Sequence, residues 1–489
     1  MQSSDVFNAD QARQVAEQLA DEWQLKKVLR PYLKHRWQQR EDVPTLHLED
    51  ITGIPFVDGI SGVREYQHRA RVRAADGDIF AAGTHPPEGY EEYNRDILQI
   101  GQPAFVHAAG DNPMAVARTC CDDSGVIDQL TAIAADAGGL ALHPYMAIDS
   151  VWNLARTIQD ASGVDVDVIG PPPPVLWVAN DKSHLSRLVE ECLDASWLVD
   201  TFRSRDPQEL ATALGELAKR CPQVGLKRTR CASAMGNAVY AADDLRGADE
   251  EELLAKVHEF LTETRWHHDE DILAVQWCDT DLSPSTQLWV PPRGDGPPVV
   301  EGVYEQLLDG PEKIFLGSRP STLPDRVNDT IAQASLQVCT ALQHMGYAGR
   351  CSFDFIITGD PRGEFRARFT ECNGRWGGTS TPMHLVDRIT PADSPRPDYV
   401  ATDYYLSEAQ MGMTFSDLRS ALDDDLYSPQ NRSGRFVLYN VGPLRSCGKF
   451  DVISIGESPE DARRGIDDIL PRKLSASTDT PTPDLNDKT

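Results

Sequence analysis

GYAGRCSFDFIITGDPRGEFRARFTECNGRWGGT, residues 346–379, is the stretch from which the rest of the chain is read. Cys351 to Ile357 and Phe365 to Asn373 are rich in aromatic and β-branched residues, and Asp360-Pro361-Arg362-Gly363 between them carries type I turn chemistry. With Pro361 to Glu364 as the loop and Asp360 opposite Phe365, counting back along both strands places Asp354 across from Glu371. Alternation puts Glu371, Asn373 and, if the strand runs that far, Arg375 on one face. Opposed carboxylates are destabilising without a cation between them. Such an oxygen-only set suits Mg²⁺ shared with substrate phosphates, and a neighbouring guanidinium suits a phosphoryl group. The alternative is an amphipathic hairpin whose charged face is merely solvated.

Length and charge bound the classes. A chain of 489 residues is too long for one ordinary core, so two to four domains are expected. The formal charge of −29, from 47 basic against 76 acidic residues, argues against a nucleic-acid binder and an anionic membrane surface. The acidity also fits a saline habitat. Ten cysteines contain no C-x-x-C pair, so neither a zinc ribbon nor a disulfide framework is indicated, and reduced cytoplasmic thiols are the economical reading. The N-terminus lacks the basic and apolar regions of a leader, and no run reaches a membrane-spanning length, so a cytosolic protein is expected.

In chain order, Asn8 to Gln39 reads as helical, with Asn8 or Asp10 as a cap. Ala104 to Ala108, Leu140 to Met146 and Val164 to Ile169 read as strands, alternating with helices over Met114 to Ala137 and Ser150 to Asp160. This is the pattern of a parallel α/β layer, without a Gly-x-Gly-x-x-Gly fingerprint. Pro171 to Pro174 reads as a stiff connector at a domain boundary. Beyond it, Asn180 or Asp181 caps a helix running to about Asp194. A short strand, Val224 to Lys227, is followed by the small-residue loop Cys231 to Val239, suited to backbone approach to phosphate. Asp271 to Cys278 is an apolar strand and Asp325 to Met345 a long helix. Gly434 to Tyr439 and Lys449 to Ile455 are late strands, before a helix start at Ser458-Pro459-Glu460-Asp461. The polar tail reads as disordered.

Asp354 followed by Glu371-Cys372-Asn373-Gly374-Arg375 closely resembles the metal-binding core of the ATP-grasp superfamily. The resemblance covers roughly Val175 to Asp393, by motif order. It implies ATP and two Mg²⁺ ions, with Asp354, Glu371 and Asn373 as metal ligands and Arg375 on phosphate. Lys182 and Lys227 are then the lysines facing the ATP phosphates, and Gly236 belongs to the phosphate-covering loop. Gln276, Trp277 and Cys278 fall at the adenine hinge, although a buried core strand explains the same residues. Relatives commonly hold the ribose with a glutamate roughly where this chain has Ser283-Pro284-Ser285, which leaves Asp279 or Asp281 as the candidates in its place. His384 is expected to be structural.

The implied fold is multidomain, α/β and α+β. It has a Rossmann-like pre-ATP-grasp domain at residues 1–174, an ATP-grasp domain at 175–400, a small α+β segment at 401–473 and a disordered tail at 474–489. The layout resembles the pre-ATP-grasp peptide ligases of peptide natural-product pathways. That implies carboxylate–amine ligation through an acyl phosphate, with Arg375 and Lys227 as catalytic groups. The partners implied are small carboxylate and amine substrates, amino acids or a peptide, with neither nucleic acid nor membrane; homo-oligomerisation is left open. A phosphotransferase on the same fold and a non-catalytic nucleotide-binding regulator are the alternatives.

Overall fold

The computed structural model describes residues 7–38, 40, 42–231, 236–267, 270–310 and 313–478. Three sheets organise them. The first is parallel, with strands β1 (Thr45–Leu48), β2 (Ile79–Ala82), β3 (Ala104–His107), β4 (Leu140–Pro144) and β5 (Val166–Val168) in the order β3-β2-β1-β4-β5. Its helices include Ser124–Ala137, whose cap Asp123 accepts from the Gly125 and Val126 amides, and Asp149–Ser162. The parallel α/β layer is as expected. Strands β1 and β2 were not anticipated, because four residues buried on nearly every side carry no alternation.

Two N-terminal expectations need correction. The span from Asn8 breaks into helix Ala9–Glu22, a short turn of helix Leu25–Val28 and a 3₁₀ segment Arg30–His35. Asn8 does cap the first of them, accepting from the Asp10 and Gln11 amides. The proline run is not a plain connector: Pro173 and Pro174 open helix Pro173–Asn180, where the missing N–H groups would have been unpaired anyway.

The second sheet is antiparallel, with β6 (Thr201–Ser204), β7 (Gln223–Arg228), β8 (Asn237–Ala241) and β9 (Ile272–Gln276) in the order β6-β9-β7-β8. The third holds β10 (Pro284–Val290), β11 (Val299–Asp309), β12 (Ile314–Pro320), β13 (Gly349–Gly359), β14 (Phe365–Asn373), β15 (Asp398–Tyr405), β16 (Phe436–Asn440) and β17 (Lys449–Gly456). Its order is β14-β13-β10-β11-β12-β15-β17-β16, antiparallel throughout. The division drawn at 400/401 therefore cuts through β15, and the late strands complete this sheet instead of forming an appendage. The one drawn at 473/474 falls inside helix Leu470–Thr478, where Leu474 is fully buried. Residues 479–489 lie outside the described residues.

The hairpin of β13 and β14 positions the chemistry, and its register differs from the expected one in an informative way. Asp354 does lie opposite Glu371, but the tip closes with Gly359, not Asp360, opposite Phe365. Asp360 still opens the turn, its carbonyl accepting from Gly363 N–H at 3.0 Å. The one-residue difference is absorbed by a bulge at Thr370, since Phe355 pairs with Phe369 while Asp354 pairs with Glu371. Without the extra residue, strict alternation would put Glu371 on the same face as Phe365, Ala367 and Phe369, all of which are buried in the core. The bulge reverses the alternation, so the aromatic residues and Cys372 point into the core while Glu371 and Asn373 point away.

Candidate functional site

Around the opposed acids the side chains interlock. Asn373 Nδ2 donates to Asp354 Oδ2 at 3.0 Å, and Lys182 Nζ lies 2.9 Å from Glu371 Oε2. Lys182 is the first residue of helix Lys182–Cys192, whose cap Asp181 accepts from the Ser183 and His184 amides and is braced by Arg230 Nε at 2.8 Å. Burial opposes a charge on Lys182, but Cys231 and Glu371 outweigh it and raise its pKa. Burial also works against ionised Glu371, yet Lys182, Lys227 and Arg375 hold it well below the usual carboxylate range. Asp354 is pushed upward by burial and by the charge of Glu371. β14 ends at Asn373, so Arg375 reaches the site from the following loop and not from the strand.

The acids line two cavities at once. The smaller, about 130 Å³, also has Lys182, Lys227, Gln276, Trp277 and Cys278 in its wall. Lys227 Nζ stands 4.7 Å from the centre of the Trp277 ring, and burial, then Lys182, lowers its pKa. Gly225 makes room for that ring, since a Cβ there would come within 3.0 Å of it. Gln276 N–H donates to Asp200 O and Trp277 N–H to Gln223 O, at 2.8 and 3.1 Å. Of the amides of Gln276, Trp277 and Cys278, only that of Cys278 meets no acceptor among the described residues.

Two expectations are not met in the walls of this cleft. Gly236 does not line it; its carbonyl accepts from Arg228 N–H, and an added Cβ would strike Cys231 at 2.7 Å, so this glycine serves a tight chain approach. Ala232 to Met235 of the expected loop lie outside the described residues. Asp279 and Asp281 pair instead with Lys313, at 3.4 and 3.1 Å, and Thr280 and Ser283 form the wall.

The larger cavity, about 430 Å³, lies on the other side of the acids and contains Asn373 and Arg375. Arg375 Nη1 is held by the Tyr145 hydroxyl at 3.0 Å and the Trp376 carbonyl at 2.9 Å, and it makes no salt bridge among the described residues. Tyr145 directly follows β4 and takes Trp376 N–H on its carbonyl at 3.0 Å, which ties the first sheet to the hairpin. Across the cavity wall, cations and tyrosines alternate. Arg375 and Arg69 lie 5.6 and 5.4 Å from the Tyr145 ring, Arg69 and Lys449 lie 4.4 and 4.8 Å from Tyr66, and Lys449 lies 5.8 Å from Tyr405. His384 packs edge-on against Trp376, and burial pushes its pKa down to about 3, consistent with a structural role.

The Pre ATP-grasp domain family matches residues 67–159. Among solved structures, the carboxyaminoimidazole ribonucleotide synthase of Aspergillus clavatus complexed with ATP is similar over 89% of this chain and 99% of its own, at 12% identity and a TM-score of 0.52. The chain has the ATP-grasp fold. The Staphylococcus aureus N5-carboxyaminoimidazole synthetase complexed with ADP matches over 90% and 99% of the two chains, with 10% identity and a TM-score of 0.51. So does the biotin carboxylase domain of the Hydrogenobacter thermophilus 2-oxoglutarate carboxylase, complexed with MgADP, ADP and bicarbonate, over 91% and 95%, with 13% identity and a TM-score of 0.51. A search of curated sequences returns no match.

Within the ATP-grasp fold, the second and third sheets enclose the smaller cavity, and the acids close its floor. Lys182, Lys227, Asp354, Glu371, Asn373 and Arg375 are brought together, with Arg375 on the side away from Lys227. Sequence reading missed Arg69, Tyr66, Tyr145, Lys449, Asp403 and Asp451, which join the site from regions far apart in the chain and carry no spacing signal. No helix among the described residues is long and apolar enough to cross a membrane.

Proposed function

We propose that the protein is an ATP-dependent carboxylate–amine ligase that joins amino acids or a peptide through an acyl phosphate. The observation that carries this reading is that Asp354 and Glu371 line both cavities, with two lysines on one side and, on the other, Arg375, which makes no salt bridge among the described residues. A nucleotide in the smaller cavity presents its γ-phosphoryl group at the acids, and a carboxylate held by Arg375 meets it from the larger one. Lys182 and Lys227 hold phosphate oxygens, and Arg375 holds the carboxylate in line.

Mg²⁺ fits the donor set. The opposed, half-buried acids carry charge that Lys182 offsets only in part, and Asn373 spends an amide N–H on Asp354, leaving its oxygen available. No group of three or more His, Cys, Asp or Glu among the described residues can hold a metal by itself, in keeping with ions that share their ligands with nucleotide phosphates. Bound there, the ions offset phosphate charge in the transfer.

In the reaction a carboxylate oxygen displaces ADP from the γ-phosphorus. The amine then attacks the carbonyl carbon, the C–N bond forms, the C–O bond to phosphate breaks, and the amine loses a proton. The test is release of ADP and phosphate from Mg-ATP with pooled amino acids and amines, with mass spectrometry of the mixture. A product lighter by one water than its summed substrates supports the ligase. A phosphorylated acceptor without an amide would show a phosphotransferase instead.

A further inference from the structure

The far end of the larger cavity holds a second opposed acid pair. Asp403 on β15 faces Asp451 on β17, and three strands, β10, β11 and β12, separate this pair from Asp354 and Glu371. One lysine serves it: Lys449 Nζ lies 2.5 Å from Asp403 Oδ2 and also donates to the Tyr66 hydroxyl. Asp451 is 4% exposed and lines the cavity. Its Oδ2 accepts from Asn440 Nδ2 at 3.0 Å, while its Oδ1 has no partner among the described residues. Two carboxylates thus share one cation, and an unpaired buried carboxylate oxygen is costly.

What would complete the pair is indicated by its walls. Tyr66, Tyr405 and Tyr439 line this end, and Lys449 already sits against two of these rings. Ring faces beside carboxylates suit an organic ammonium, whereas a hard metal ion takes oxygen ligands and water. Beside Tyr145 stand Arg375 and Arg69, the latter paired with the buried Glu49. The cavity is therefore polar in one direction, with Arg375 where the carboxylate is activated and the acid pair at the opposite end.

We propose that the Asp403–Asp451 end binds the protonated amino group of the donor, the substrate whose carboxylate is activated at Asp354 and Glu371. The donor is then a peptide of several residues with a free amino terminus, because four inter-strand spacings of about 4.8 Å lie between the two acid pairs. This rests on the ligase reading and names its substrate class. An amine held as ammonium has no lone pair, so it cannot attack the acyl phosphate, and the product keeps it.

The test offers hydroxylamine as a generic nucleophile, so that hydroxamate formation reports donor activation alone. The full-length protein with Mg-ATP receives two matched pools, peptides of four to eight residues with free amino termini, and the same peptides N-acetylated. We expect free-amine donors to be preferred by about tenfold or more, the worth of a charge-assisted bond. Asp451→Asn and Asp403→Asn should each collapse that preference while binding Mg-ATP like the parent protein, a control against misfolding. Equal use of acetylated donors, or a preference unchanged in both variants, overturns the proposal. Hydroxamate from neither pool with Mg-ATP still bound also overturns it and leaves the nucleotide site standing. Failure to bind Mg-ATP at all overturns the ligase reading itself.

Discussion

Two pairs of carboxylates face each other across neighbouring strands of one sheet, Asp354 with Glu371 and Asp403 with Asp451, and each keeps one lysine beside it. The origin of the lysine separates them. Lys449 lies on β17, two residues before Asp451, and is clamped by Asp403 and Tyr66, so its charge is a fixed part of the sheet. Lys182 comes from a helix outside the sheet and shares the wall of the smaller cavity, so under the proposed function its ammonium turns from Glu371 to phosphate. On the proposed reading the first pair exchanges its counter-charge during the reaction, and the second keeps one and accepts another.

The comparison breaks most visibly at Glu371. Glu371→Gln should lower kcat/KM by about a thousandfold or more at any substrate concentration while leaving the circular dichroism spectrum unchanged. Near-parental activity would sink the metal assignment. Next in size, Lys449→Met leaves two opposed carboxylates without their cation, and denaturant titration should show a loss of about 3 kcal/mol. A loss below about 0.5 kcal/mol, as for an exposed pair, would show that Lys449 is not structurally required. Asp451→Asn should raise the donor KM about tenfold with kcat little changed, since the missing contact is far from the reacting atoms. An equal fall in kcat would move Asp451 into the chemistry.

The smallest effect is on pH dependence. Burial, then Asp403, raises the pKa of Asp451, so the folded chain holds a proton there at a pH where the unfolded chain has lost it. The contribution of this group to stability therefore falls as pH rises from the ordinary aspartate range through the raised value. Asp451→Asn should flatten that slope. Parallel curves for the two proteins would contradict the shift.

How much was legible follows from how far apart the partners lie in the chain. Asp354 and Glu371 belong to one hairpin, where turn chemistry and alternation fix the pairing locally, and their register was predicted even though the tip was placed one residue off. Asp403 and Asp451 pair across strands that bracket β16, and nothing local announces that β15 pairs with β17. The same holds for Tyr145 and Arg69, which reach the cavity from the first sheet and from the 3₁₀ segment Val63–Arg73. Helix ends were clearer where a side chain caps them, as at Asn8 and Asp181, than at Pro173, where proline reads equally as a stop and a start.

The bulge at Thr370 gives the hairpin two phases. Toward the tip, odd-numbered residues of β14 face the core; from Glu371 onward, odd-numbered residues face the cavity. Because the phase changes at that one residue, the tip can be redrawn without disturbing the acids, by a longer turn or a different aromatic at Phe365. A residue gained or lost between Glu371 and Asn373 has no such latitude, because it would turn the acid and the amide of the site to opposite faces of the sheet.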